Sequence, residues 1–175
     1  MKYTRLYGLI IAAVMLTACN GMEDGAQRAR TKQPNIIFIF SDDHAYQAIG
    51  AYGNKLAQTP NIDRIAKEGA IFRNFFVTNS ICGPSRASLL TGKYSHVNGF
   101  KSNEELFNID QFVFSRLLSE SGYQTAWVGK WHLETLPGDA FDYWDILPGQ
   151  GHYFNPDFIN QTNDTVRHHG YVTDV

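Results

Sequence analysis

The stretch "PNIIFIFSDDH", residues 34–44, constrains this chain more than any other. Residues 36–40 are an unbroken apolar run, and the run closes on two adjacent carboxylates, Asp42 and Asp43. A strand with one wet face alternates in polarity. A run with no polar position is a strand buried on both faces, as in a parallel sheet covered by helices. The expectation is therefore a strand over residues 35–41 of an α/β domain. Its far end is the carboxyl edge of the sheet, where open α/β sheets bind ligands. Adjacent strand residues face opposite ways, so both carboxylates serve one site only where the chain turns past the strand end. Two hard oxygen donors side by side suit Ca2+, with Mg2+ the lesser fit. A solvated acidic turn is the plainer alternative.

The rest of the chain supports the α/β reading. "TPNIDRIAKEG" has Pro60 at its start, Ile62, Ile65 and Ala66 on one face and Gly69 at its end, which predicts a short helix. "AIFRNFFVTN" predicts a second strand, and "GPSRASLLTG" a helix with Pro84 near its first position and Gly92 as its stop. "QFVFSRLLSESGY" predicts a helix ending near Gly122, followed by a strand over residues 124–131. The order β-α-β-α-α-β implies a mainly parallel sheet flanked by helices. From Leu133 onward, Gly, Pro, Asp and aromatics crowd together and predict a long structured loop. The chain is 43% hydrophobic, which excludes disorder, and its formal net charge of −2 gives no basic footprint for nucleic acid.

The first residues read as an export signal. Lys2 and Arg5 form a positive start, residues 6–16 an apolar stretch too short to span a bilayer, and "LTAC" places small residues before Cys19. Residues 1–19 are expected to be a lipoprotein signal peptide ending at a lipobox cysteine. An ordinary signal peptide with an incidental cysteine is the other reading. Residues 20–33 are polar and small, a flexible tether, and residues 34–175 carry the domain. The expected location is a lipid-anchored exported protein, in the periplasm or at the outer membrane or cell surface, touching membrane only through its anchor.

Export leaves Cys82 as an odd cysteine, because the chain has only Cys19 besides it. Pro84 places Cys82 just before a helix N-terminus, where free N–H groups and the helix dipole favour an anion. Arg86 follows about one turn later, and its fork can reach an anion or residue 82; a surface helix arginine is the alternative. "GKWHL" puts Lys130 and His132 two apart on one strand face and Trp131 on the other. Lysine supplies charge to an oxyanion and histidine moves protons. Two exposed polar residues at a strand end are the alternative.

Together these three groups resemble one family. "CGPSRASLLTG" is similar to the Cys-x-Pro-Ser-Arg signature of type I sulfatases, and "IIFIFSDD" and "VGKWHL" match it in order and spacing. "LPGQGHYFNPDFI" is similar, more loosely, to a segment of bacterial N-acetylglucosamine-6-O-sulfatase-like and mucin-desulfating sulfatases. The resemblance implies an alkaline-phosphatase-like α/β fold, incomplete at the C-terminus. It implies that a maturation enzyme oxidises Cys82 to Cα-formylglycine, whose hydrate is the nucleophile. One diol oxygen attacks sulfur, the alcohol leaves, and loss of the second diol proton expels sulfate and restores the aldehyde.

By the same resemblance Asp42, Asp43 and an oxygen of modified Cys82 are Ca2+ ligands. Arg86 orients the diol, Lys130 binds a sulfate oxygen, and His132 serves the diol or the leaving group. The implied activity is sulfuric ester hydrolysis on a sulfated glycan of the 6-O-sulfated N-acetylglucosamine type. The family's further cation ligands have no matching motif here, and His168 and His169 lie in none, so the chain alone is expected to be inactive. Two alternatives stand beside this: a phosphomonoester or phosphonate hydrolase of the alkaline phosphatase superfamily, and a non-catalytic lipid-anchored remnant.

Overall fold

A computed structural model describes residues 33–175. The signal peptide, Cys19 and nearly all of the tether expected over residues 20–33 lie outside the described residues. The described residues divide into two units, 33–41 and 42–175.

In the first unit, residues 35–41 form no strand of the described sheet, contrary to the expectation from their apolar run. Ile36, Ile37, Phe38 and Ile39 are exposed, Ile37 by 84%. An apolar run states that a strand wants cover on both faces; it does not supply the neighbouring strand whose ladder defines one.

In the second unit, two 3-10 turns, Tyr46–Ala48 and Gly50–Tyr52, lead to helix α1, Pro60–Glu68. Pro60 opens the helix, its ring preset for helical φ. Asp63 in the first turn accepts hydrogen bonds from the Ala51 amide at 2.7 Å and the Thr59 hydroxyl at 3.0 Å, tying the turns to the helix start. Residues 70–79 carry no strand, contrary to expectation, and Phe72, Phe75 and Phe76 are exposed. The same reason applies: these apolar side chains have no ladder partner in the described sheet.

Helix α2, Cys82–Thr91, ends where Gly92 takes a left-handed φ of 65°. Two short helices follow, α3, Ser95–Asn98, and α4, Phe114–Glu120. Strands β1, Ala126–Lys130, β2, Tyr143–Leu147, β3, Asp157–Asn160, and β4, Thr165–Arg167, form one sheet in that order. The β1–β2 pair is parallel, and β2–β3 and β3–β4 are antiparallel, so the described sheet is mixed. The connection over residues 131–142 is long enough for a parallel return. Residues 161–164 form a tight turn, which permits only an antiparallel neighbour. Strands β2 to β4 occupy the segment expected to be loop. Each is short, and the turn-forming residues around them mask their period.

The core lies where α2 meets the sheet. Ala87 and Leu90 of α2 pack in one cluster with Phe100, Phe107, Val113, Trp131, Leu133, Phe141, Trp144 and Ile146. Trp127 and Trp131 meet edge to face at 5.1 Å, a favoured ring geometry. Rigid packing here fixes the C-terminal end of β1 against the N-terminal half of α2.

Candidate active site

Cys82 is the first residue of α2 and not the residue before it, as Pro84 led one to expect; Pro84 stands third, where the first turn still tolerates a missing N–H, and Cys82 is half-buried with a free thiol. Its neighbour Gly83 is buried under the chain that leaves β1. A Cβ at position 83 would lie 2.6 Å from the His132 carbonyl oxygen and 2.6 Å from a Phe100 ring carbon. The Gly83 amide donates to Asn103 Oδ1 at 2.9 Å, so one N–H of the helix start is already satisfied.

Arg86 sits one helical turn beyond Cys82 and is 3% exposed, which rules out the surface-arginine reading. Its Nη1 donates to the Lys130 carbonyl oxygen at 2.9 Å, and its Nη2 to Asp42 Oδ2 at 3.3 Å. The Lys130 carbonyl also accepts from Trp127 Nε1 at 3.2 Å, which occupies both of its lone pairs. Burial pushes the Arg86 guanidinium down, while Asp42 and then Cys82 hold it up.

Lys130 ends β1, paired in register with Leu147 at the end of β2. Its Nζ lies 2.5 Å from Asp42 Oδ2 and donates to Gln150 Oε1 at 2.7 Å. Two cations thus meet one carboxylate oxygen. Burial pushes the Asp42 carboxyl up, but Lys130 and then Arg86 outweigh it and hold it below the usual carboxylate range. With two cations facing one carboxylate, positive charge is in surplus, and the cluster suits an anion.

Trp131 is buried, as the strand alternation predicts. His132 is not on the strand face assigned to it. The strand stops at Lys130, and His132 takes a left-handed φ of 52°, so alternation does not set its direction. Its side chain is nonetheless 11% exposed, and its Nε2 is 4.0 Å from Glu134 Oε1. Its Nδ1 is buried with no hydrogen-bond partner. Burial and then the Lys130 charge push the imidazole below its usual value, with Glu134 opposing. A neutral imidazole keeps one donor and one acceptor nitrogen.

Asp43 takes a left-handed φ of 51° where the chain turns after Asp42. No hydrogen bond or ion pair ties it to the cluster among the described residues. Nor does any group of three or more His, Cys, Asp and Glu side chains among them gather closely enough to hold a metal ion. Asp42, Asp43 and Cys82 therefore do not by themselves fit a hard cation, which takes about six to eight oxygens. His168 is half-buried and packs edge-on against Phe158 at 5.1 Å, within the β3–β4 region.

Sequence reasoning missed Asn103 and Gln150. Asn103 carries no signal in the sequence. Gln150 stands between Gly149 and Gly151, and those flanking glycines were the available hint.

Comparison with known proteins identifies relatives of the chain. The model of the sulfatase family matches residues 34–174. An N-acetylglucosamine-6-O-sulfatase of Bacteroides thetaiotaomicron is 49% identical over 170 residues, 95% of this chain and 29% of that protein. An ulvan-active sulfatase of Formosa agariphila is 31% identical over 181 residues, 97% of this chain and 35% of that protein. The solved structure of BT4656 in complex with its substrate D-glucosamine-2-N,6-O-disulfate superposes with a TM-score of 0.78 at 52% identity, covering 82% of this chain and 29% of that one. The chain thus spans about a third or less of the length of these relatives.

Proposed function

This chain belongs to the sulfatase family, with its alkaline-phosphatase-like fold, and on that premise we propose that the protein carrying it removes 6-O-sulfate from a glucosamine-type sugar in a glycan. The observation that carries this is the meeting of Arg86 and Lys130 on one oxygen of Asp42, with Arg86 one turn from Cys82. The choice of sugar is supported by the name of the Bacteroides relative and by the substrate held in the solved BT4656 structure.

Residue 82 acts as the nucleophile after conversion to formylglycine, as the Cys-x-Pro-Ser-Arg motif around it implies. Arg86 holds the end of β1 and Asp42 in fixed relation to residue 82. Lys130 donates to a sulfate oxygen, countering charge as the S–O bond breaks. His132, held neutral by burial, has an acceptor nitrogen for the diol proton or a donor for the departing alcohol oxygen. Asp42, Asp43 and an oxygen of modified Cys82 would supply only the first donors to a Ca2+ ion, which hard oxygens suit. Filling its shell takes donors beyond the residues named. We further propose that Cys19 carries a lipid anchor, that residues 20–33 tether the domain to the membrane, and that the protein works outside the cytoplasm.

The test uses the protein expressed from its full reading frame in a host with a formylglycine-generating enzyme. Sulfate release from 6-O-sulfated N-acetylglucosamine is measured against hydrolysis of an aryl phosphate. Release of sulfate with little phosphate turnover is the expected result. Faster phosphate hydrolysis, or no sulfate released, overturns the reading.

A further inference from the structure

The Lys130 ammonium has three hydrogens to donate and no acceptor of its own. Its partners in the fold are Asp42 Oδ2 at 2.5 Å and Gln150 Oε1 at 2.7 Å. These two engage two of the three hydrogens. Two acceptors in fixed places also set the direction of the third, as one alone does not.

Gln150 reaches Lys130 because of how its backbone is held. Lys130 and Leu147 are register partners at the ends of two parallel strands, and the Trp131 amide donates to the Leu147 carbonyl at 3.0 Å. The chain leaving Leu147 therefore starts beside Lys130. Gly149 and Gly151 take left-handed φ values of 53° and 67° on either side of Gln150. A Cβ at position 151 would lie 2.5 Å from three Leu147 side-chain carbons, so the turn is folded tightly back on the strand end. Gln150 is exposed, and this backbone sets the root of its side chain within reach of the ammonium.

Resting on the sulfatase reading above, we propose that Gln150 is a positioning residue that acts through Lys130, holding the ammonium so that its remaining N–H meets a sulfate oxygen. The chemistry of the side chain fits the task. An amide oxygen accepts a hydrogen bond while carrying no net charge, so it orients the ammonium and leaves its positive charge available to the anion. A carboxylate of the same length would orient the ammonium equally well, but would neutralise it and repel sulfate.

The test uses the protein from its full reading frame, with inorganic sulfate binding read by calorimetry and kcat and KM read on 6-O-sulfated N-acetylglucosamine. Gln150→Leu is expected to weaken sulfate binding about tenfold, the scale of one hydrogen bond to a charged group. Gln150→Glu, nearly isosteric, is expected to weaken it further. In a Lys130→Ala background, Gln150→Leu is expected to add nothing, the signature of a residue acting through another.

Sulfate binding within about twofold of wild type in Gln150→Leu, taking tenfold as the scale of such a bond, overturns the proposal. So do effects of Gln150→Leu and Lys130→Ala that multiply, and a wild-type protein that binds no inorganic sulfate. A wild-type protein that binds sulfate yet hydrolyses no sulfate ester sinks the sulfatase reading instead. The calorimetric series then still decides on Gln150.

Discussion

Replacing Arg86 tests whether the planar fork, and not charge alone, organises this site. Arg86 is buried and spans a main-chain oxygen at 2.9 Å and a carboxylate oxygen at 3.3 Å. Arg86→Lys keeps the charge, but a single ammonium on a shorter reach cannot span both partners in the same geometry. The bond to the Lys130 carbonyl involves a charged donor, worth about 1.5–3 kcal/mol. The pair with Asp42 is weaker than its charges suggest. The Asp42 side chain is 34% exposed and shares its oxygen with Lys130, so it contributes on the order of 1 kcal/mol. If lysine keeps one partner of the two, Arg86→Lys costs about 1–2 kcal/mol, and Arg86→Ala, which also leaves a cavity, about 3–4 kcal/mol. Urea unfolding of both variants against wild type, with unchanged m-values, reads these directly. An Arg86→Lys variant within about 0.5 kcal/mol of wild type, the range of an ordinary surface substitution, refutes the fork argument.

Trp131→Ala removes one of the largest fully buried side chains, 2% exposed, and is expected to cost about 3–5 kcal/mol in the same unfolding assay. Asp142 accepts from the Thr125 amide at 2.7 Å and the Thr125 hydroxyl at 2.9 Å, and these bonds hold its carboxyl below the usual range. Its contribution is therefore complete above the unfolded carboxylate pKa and fades as pH falls through the lower folded value; Asp142→Asn should flatten that acid limb of a stability profile. Mass spectrometry of the peptide spanning Cys82 should show an aldehyde or its hydrate in a host with the maturation enzyme, and an alkylatable thiol there would remove the proposed nucleophile.

How much of this was legible in the sequence depended on whether a feature was local. Pro60 and Gly69 bracket α1 and Gly92 stops α2, because these residues act through their own backbone dihedrals, whereas Pro84 marks the first turn of α2 and not its start at Cys82. The strand over residues 126–130 and the inward turn of Trp131 were equally local. Residues 35–41 and 70–79 mislead because an apolar run declares a need for neighbours without providing them. Strands β2 to β4 were hidden among Gly, Pro and Asp, which also mark turns. The cluster of Arg86, Lys130 and Asp42 was readable only through resemblance, since no spacing rule brings residues 42 and 86 together. His132 shows the limit of a period. It was assigned by alternation to a strand that stops at Lys130, where a positive φ takes over.

Arg86 holds residue 130 by its peptide oxygen. Trp127 takes the other lone pair of the same atom, so the anchor is complete whatever residue stands there. This anchor is therefore indifferent to the side chain at 130, which Asp42 and Gln150 contact instead. During descent, a lineage could exchange the amine at 130 for another function in one substitution, with the helix and strand still locked together. Variation at this position would then track the chemistry demanded by a new ester, while Arg86 and the indole of Trp127 stayed fixed.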